Sequence, residues 1–399
     1  MLPNGKERFA YGGQFGDSPH DGNFVADGLM HADLTPHPAM REVAWVHRPV
    51  ASQLVGSQSA PLIEVKNRQT FRDISWLSAT YEIVVDGAVK RKGTLAITSL
   101  GGGKTKRIKV PSIRGLSGDI RLNIMWKTKR TELWCDRGRV VAWDQVVLKS
   151  SRPKKIQISK KMFEPLSIEP QLSLFRASID NDGFKLLPNL AWVETTTLKR
   201  WQQQGIDGDV SRLVKHQPKR TVREDGSVRF NHSVQVPKTL ADLPRIGVSF
   251  PLPQGFTEIL WWGNGPHECY PDRQSSAVIG IFSGQADELP YLVPQEYGLR
   301  TSCRWFEVGN PQTAEVIRIE AEGEPLHMSA LPYTTQDLYQ AADQTELVKR
   351  PYLTMNIDIA HRGLGTASCG PDVLPQYRIS AGTYEFAYVI SRESRGANR

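Results

Sequence analysis

The strongest constraint on this chain is its rhythm: short runs of alternating apolar and polar residues, each closed by turn residues, with almost no 3.6-residue periodicity. This favours a mainly β fold. Ile120, Leu122, Ile124 and Trp126 alternate with polar residues, so one face of that strand should be buried. Tyr81–Val85 runs into Asp86-Gly87, a pair that tolerates the positive φ of a tight hairpin turn, and predicts a hairpin whose second apolar run starts at Thr94. Asp225-Gly226 likewise precedes Val228, Phe230, His232, Val234 and Val236, and Tyr384, Phe386, Tyr388 and Ile390 alternate near the end. His232 reads as a half-buried strand residue. Only 334–342 reads as helical, with Thr334 three residues before Asp337 as its cap.

The 399 residues allow two to three domains at about 150 residues each. Thr35-Pro-His-Pro38 is too rich in proline to continue a helix or a central strand, and 149–161 (KSSRPKKIQISKK) is basic and poor in large apolar side chains. These punctuate the chain into 1–38, 39–150, a linker 151–165 and a last domain 166–399. The second stretch has the length and strand spacing of a seven-stranded sandwich.

Composition narrows the partners. The net charge of +8 would suit an acidic partner, but the clusters Lys127–Arg130 and Arg152–Lys161 lack a helical or zinc-finger frame, so no nucleic-acid partner is expected. Cys135, Cys269, Cys303 and Cys369 are too scattered for a disulfide framework or a zinc site. No run approaches the roughly 20 apolar residues of a bilayer span, and the N-terminus lacks a signal-peptide core. The expectation is a cytoplasmic protein with no membrane partner.

Four segments are dense in chemically useful residues. Tyr11–Leu29 (YGGQFGDSPHDGNFVADGL) must be a specified loop, and its Asp17, Asp21 and Asp27 could hold a hard cation or satisfy loop amides. Leu260–Arg273 (LWWGNGPHECYPDR) offers Trp261 and Trp262 as sugar-stacking faces or as core, and Glu268, Asp272 and Arg273 as a structural ion network ahead of a catalytic one. Phe175–Asp182 (FRASIDND) is an acidic turn. Asn356–Pro371 ends in HRGLGTASCGP, whose glycines permit a ligand-facing loop.

In this order, and together with Pro294–Arg300 (PQEYGLR), these segments resemble the C-terminal part of β-galactosidases of glycoside hydrolase family two. The YGGQFGDSPHDGNFVADGL and ADLTPHP stretch is similar to the end of that family's (β/α)8 barrel, and 40–150 to its immunoglobulin-like domain. The implied fold is a barrel remnant, an immunoglobulin-like sandwich and a large, galactose mutarotase-like β-sandwich. The implied activity is hydrolysis of terminal β-D-galactosides such as lactose with retention, through two glutamates that lie on the barrel upstream of this chain, so no catalytic residue is assigned here. The resemblance places a sodium ion on the Phe24 main-chain carbonyl and the Asp27 side chain, beside the galactose 6-hydroxyl. Magnesium belongs to the complete enzyme, with ligands mostly outside this chain, and His20 departs from the family's usual Asn. The Gly363–Gly370 loop matches the segment reaching the active site, giving Cys369 and Gly370 as substrate-binding residues beside Asp27. Ser368, Cys369 and Gly370 stand where some members carry a stacking tryptophan. Fewer strands fit between Trp143 and Arg176 than the family has, which predicts open strand edges. The implied partners are a galactoside and a large chain or upstream region carrying the barrel, in a homo- or hetero-oligomer. The residues alone also admit a non-catalytic carbohydrate-binding sandwich using Trp261, Trp262 and the Gly363–Gly370 loop.

Overall fold

The computed structural model describes residues 9–26, 28–57, 60–151, 167–186, 196–240, 242–287, 289–365 and 372–394. The chain divides into a smaller unit, residues 39–157 with 275–281, and a larger one, residues 1–38 with 158–274 and 282–399. Most of the expected linker, 152–166, lies outside the described residues.

The smaller unit opens with α1 (Ala39–Val46) and continues through β1 (Val50–Ser57), β2 (Ala60–Asn67), β3 (Leu77–Val85), β4 (Ala88–Thr94), β5 (Thr105–Lys109), β6 (Ile120–Thr128) and β7 (Val140–Lys149). Seven strands form two antiparallel sheets, β1-β2-β5 and β4-β3-β6-β7, the sandwich that strand spacing predicts. Ile120, Leu122, Ile124 and Trp126 are all 0% exposed, and each such aliphatic side chain contributes about 2–3 kcal/mol by leaving water. The β3–β4 turn takes φ of 49° at Asp86 and 82° at Gly87. Its second strand differs from expectation: β4 is Ala-Val-Lys-Arg-Lys-Gly-Thr, and the apolar run after Thr94 instead sends Leu95 and Ile97 into the core. A strand exposed on both faces carries no apolar stripe, so alternation could not reveal it.

Residues 275–281 join this unit through specific bonds. Glu42 of α1 accepts the Ser275 and Ser276 amides at 2.9 Å each, and Trp143 Nε1 donates to the Ser276 carbonyl at 2.7 Å.

The larger unit contains β8 (Gln171–Ser173), α2 (Thr197–Gln203), β9 (Lys215–Val222), β10 (Val228–Val236), β11 (Arg245–Pro251), β12 (Glu258–Gly265), the second half of β13 (Val278–Gln285), β14 (Arg300–Cys303), β15 (Trp305–Gly309), β16 (Glu315–Glu322), β17 (Leu326–Leu331), α3 (Thr335–Gln340), β18 (Thr354–His361) and β19 (Gly382–Ser394). They build a seven-stranded sheet, β13-β12-β15-β16-β19-β10-β9, and a five-stranded one, β14-β17-β18-β11-β8. One core joins them: Trp261, Phe306, Ile317 and Tyr388 from the first sheet, Val248, Met328, Met355 and Ile357 from the second. At one side the sheets end on the three-residue β8 and the exposed β9, each paired on one side only among the described residues.

The helix at 335–340 has the expected cap, Thr334 Oγ1 accepting the Asp337 amide at 3.1 Å and Asp337 Oδ2 accepting the Thr334 amide at 2.8 Å. Helices α1 and α2 correct the reading that no other segment is helical. At 8 and 7 residues they span about two turns, too few for a 3.6-residue period to stand out. His232 is fully buried, not half-buried.

Candidate functional site

The four singled-out segments meet within the larger unit, and charge holds them there. In Phe175–Asp182 the chain turns back on itself because Asp182 takes the Arg176 guanidinium at 2.6 and 3.0 Å and the Ile179 amide at 2.9 Å, with both side chains essentially excluded from water. Such a pair carries a large desolvation cost, which only bidentate geometry with further hydrogen bonds offsets.

The turn's outer carboxylate, Asp180, accepts from Asn23 Nδ2 at 3.0 Å and so fixes the N-terminal loop. Phe24 packs edge-on against Phe184 at 5.3 Å, Tyr11 OH donates to the Ala342 carbonyl at 2.8 Å, and His31 Nε2 lies 3.0 Å from the Pro290 carbonyl oxygen. Lys185 donates to the carbonyls of Pro294, Leu338, Tyr339 and Ala341 at 2.7 to 3.2 Å. Burial pushes its pKa down to about 8, which leaves it charged at neutral pH, as four carbonyl acceptors require. Of the loop aspartates, Asp17 satisfies an amide: both its oxygens lie 3.1 Å from Gly13 N.

Leu260–Arg273 divides into core and clamp. Trp261 and Trp262 are 0% and 4% exposed, so they are core and offer no face to a sugar. Glu268 is consumed by Arg273, by the Tyr291 hydroxyl at 2.5 Å and by the Gly298 amide at 2.7 Å. Asp272 forms no part of that network: it reaches across 92 residues to accept the Leu364 and Gly365 amides at 2.9 and 3.0 Å. A Cβ on Gly363 would lie 2.6 Å from the Asp272 carboxylate, so this approach requires glycine. The other stem of the loop is held by Asp372, which pairs with Arg362 at 2.5 Å and Arg200 at 2.6 Å and accepts the Val373 amide at 2.7 Å. Burial opposes ionisation of Asp372, but Arg362 and the bonds it receives win, and its pKa falls to about 2. Two carboxylates thus grip both stems of the glycine-rich loop.

Glu296 lies deeper, with Arg245 at 3.9 Å and His361 at 3.7 Å, while Arg245 closes on Asp358 at 2.7 Å. Burial works to raise the Glu296 pKa, yet Arg245 and His361 outweigh it and hold the carboxyl below its usual range. A general acid at neutral pH needs the opposite shift. Glu296 lacks that shift, and Glu268 is saturated by its three partners.

Asp27, Cys369 and Gly370 lie outside the described residues. Phe24 is described and 41% exposed. Next to it, Asn23 Oδ1 is buried without a hydrogen-bond partner among the described residues, an oxygen donor of the type hard cations take. Among the described residues no three His, Cys, Asp or Glu side chains converge as metal ligands. A groove of about 920 Å³, lined by residues including Gln171, Lys215, His216 and His232, shares none of the residues above. What sequence reasoning missed is the loop clamp: Asp272 and Asp372 sit in conspicuous segments, but their partners are fixed only by the fold.

Family models match the chain in three stretches: Beta galactosidase small chain over residues 146–390, Beta-galactosidase domain 4 over 63–149, and the Glycosyl hydrolases family 2 TIM barrel domain over 2–52. Among curated proteins, a beta-galactosidase of Arthrobacter sp. (strain B7) is 28% identical over 94% of this chain, and one of Halalkalibacterium halodurans is 28% identical over 97%. A beta-galactosidase of Vibrio cholerae is 27% identical over 97%. The chain spans only 43 to 44% of the length of these relatives.

Proposed function

Since the chain belongs to the β-galactosidase small-chain family, we propose that it works as the C-terminal portion or small subunit of a β-galactosidase that hydrolyses terminal β-D-galactosides such as lactose. Retention requires two carboxyl groups about 5 Å apart, one as nucleophile and one as acid/base. In this reading both reside on a barrel-bearing stretch of polypeptide outside this chain. The observation that carries it is that Glu268 is saturated by Arg273, Tyr291 and the Gly298 amide, while Glu296 is buried beside Arg245 and His361.

The chain's own contribution is architectural. The clamped Gly363–Gly370 loop would present Cys369 and Gly370 to the sugar, and the N-terminal loop would offer the Phe24 carbonyl and Asp27 to a sodium ion near the galactose 6-hydroxyl. The orphaned Asn23 oxygen and an all-oxygen donor set fit such an ion, which when bound would supply a fixed positive charge for a sugar hydroxyl to approach. Exposed Phe15, Val25, Met30 and Leu34 give the barrel-bearing polypeptide an apolar surface to cover. The expected setting is the cytoplasm; among the described residues no helix is long and apolar enough to cross a membrane. A stand-alone sugar-binding role loses its platform, since Trp261 and Trp262 are core.

The test is reconstitution. The purified chain and a barrel-bearing large chain are each assayed alone and mixed on o-nitrophenyl β-D-galactoside. Each alone should stay at background and the mixture should turn over; an inactive mixture of two folded chains, or full activity of this chain alone, contradicts the reading.

A further inference from the structure

The smaller unit holds more positive charge than the whole protein. Residues 39–149 carry 20 Lys and Arg against 9 Asp and Glu, +11, while the full chain is +8, so the remainder is net acidic. The fold concentrates this charge. Among the described residues β4 pairs only with β3 and β5 only with β2, which makes both edge strands there, and β1 lies against β7 at the opposite side of the sandwich. Arg91 of β4 ties the two edges together, donating to the Ser112 and Arg114 carbonyls just beyond β5 at 2.7 and 2.8 Å. Along these edges Lys90, Arg91, Lys92, Lys106, Arg107 and Lys109 are all exposed. Two carboxylates answer them, Glu82 2.9 Å from Lys92 and Glu64 2.9 Å from Arg107.

We propose that the β4 and β5 edges form a binding surface for the phosphate backbone of nucleic acid. Side chains two apart on a regular strand, such as Arg107 and Lys109 of β5, are spaced by about 6.6 Å, close to two steps of the roughly 3.4 Å phosphate rise of one strand, while on β4 a register shift at Lys90 breaks the alternation and spreads its cations. A line of cations at that interval matches a linear polyanion better than a lipid plane, and no aromatic side chain lies on β4 or β5 to insert into a bilayer or stack on bases. Recognition is therefore of phosphates and independent of sequence. The expectation against a nucleic-acid partner rested on the lack of a helical or zinc-finger frame for the clusters seen in sequence; here two edge strands supply a frame, from cations 15 residues apart. Edge lysines also discourage strand addition, and that role alone predicts no affinity for phosphates.

The experiment uses the full chain and fluorescein-labelled 20-nucleotide DNA, single- and double-stranded and of two unrelated sequences, with binding followed by anisotropy. Both forms should bind at 50 mM salt, and with six phosphate contacts the affinity should fall by 200 mM about a thousandfold for the duplex and about three-hundredfold for the single strand. Lys90→Gln, Lys92→Gln, Lys106→Gln and Lys109→Gln combined should cut affinity at least tenfold at 50 mM and lower the salt slope by about 3.6 for the duplex and about 2.8 for the single strand, with the thermal midpoint little changed. Lys129→Gln with Arg130→Gln, away from these edges, should leave both nearly unaltered. No binding at 50 mM overturns the proposal, as does an unchanged slope in the quadruple variant. Equal loss in the Lys129/Arg130 control overturns it too, as does binding confined to phosphatidylglycerol vesicles or to polyglutamate.

Discussion

The two β-sandwiches of this protein are stabilised differently. In the smaller unit the interior is hydrocarbon, Val50, Ile63, Ile83, Ile124 and Trp126, and the best-buried ion pairs still let their arginines reach solvent, Arg48 at 10% and Arg121 at 13%. In the larger unit Arg176, Arg245 and Arg362 are 0 to 1% exposed and bonded to Asp182, Asp358 and Asp242. A purely structural sandwich gains little from desolvating charge, because an apolar core of equal volume is usually as stable. Charges buried beneath loops gain something else: directional bonds that fix where those loops leave the sheet. The contrast separates a sandwich held by its apolar core from one whose buried charges fix the loops of the candidate site.

The comparison breaks first at its strongest point. Asp182→Ala strands the Arg176 guanidinium in the core and frees the Ile179 amide, and should cost the larger unit about 3–5 kcal/mol by urea unfolding. Arg48→Ala in the smaller unit should cost about 1–2 kcal/mol, since Asp144 keeps the Ser52 amide and gains water; equal losses would erase the distinction.

Next comes pH. His232, buried against His216 and the Tyr388 hydroxyl, has its pKa pushed down to about 4 by burial and then by His216. The unfolded chain takes up this proton at about 6.5, so stability of the larger unit should fall by about 3 kcal/mol as pH drops from 6.5 to 4 and level off below, as far as this group is concerned. His232→Phe should remove that share of the acid loss in a pH series of thermal midpoints, leaving the share of His327, whose pKa burial pushes down to about 3; an unchanged profile would show the charge is accommodated. A smaller effect sharpens the loop argument. Asp272→Asn keeps the shape but can accept only one of the two amides, its Nδ2 facing the other N–H, and should cost about 1–2 kcal/mol overall while speeding hydrogen exchange of the Leu364 and Gly365 amides several-fold. The smallest effect belongs to the exposed Lys92–Glu82 pair, where Glu82→Gln should shift stability by under about 1 kcal/mol.

How much of this was legible in the sequence follows from the range of each interaction. The Asp86-Gly87 turn, the alternation of β6 and the Thr334 cap are decided within a few residues, and each reads directly. The edge strand β4 and the two-turn helices α1 and α2 left no periodic trace. The site was legible as segments but not as contacts: HECYPDR and HRGLG were both conspicuous, yet nothing local tells that Asp272 seeks the amides of 364 and 365 while Glu268, four residues earlier, seeks Arg273 and Tyr291. Trp261 and Trp262 were ambiguous because an aromatic pair suits a sugar and a core equally, and only the fold decides: Trp261 joins the core between the sheets, while Trp262, its neighbour on the same strand, is buried under the Arg304 guanidinium.

The central claim, that the reacting carboxylates belong to another stretch of polypeptide, is tested most directly by trapping the covalent intermediate. The reconstituted mixture is incubated with an activated 2-deoxy-2-fluoro-β-galactoside and both chains are analysed by intact mass and peptide mapping. The account predicts one fluorogalactosyl adduct on a glutamate of the barrel-bearing chain and none on this one; an adduct on Glu268, Glu296 or any other residue of this chain would contradict it.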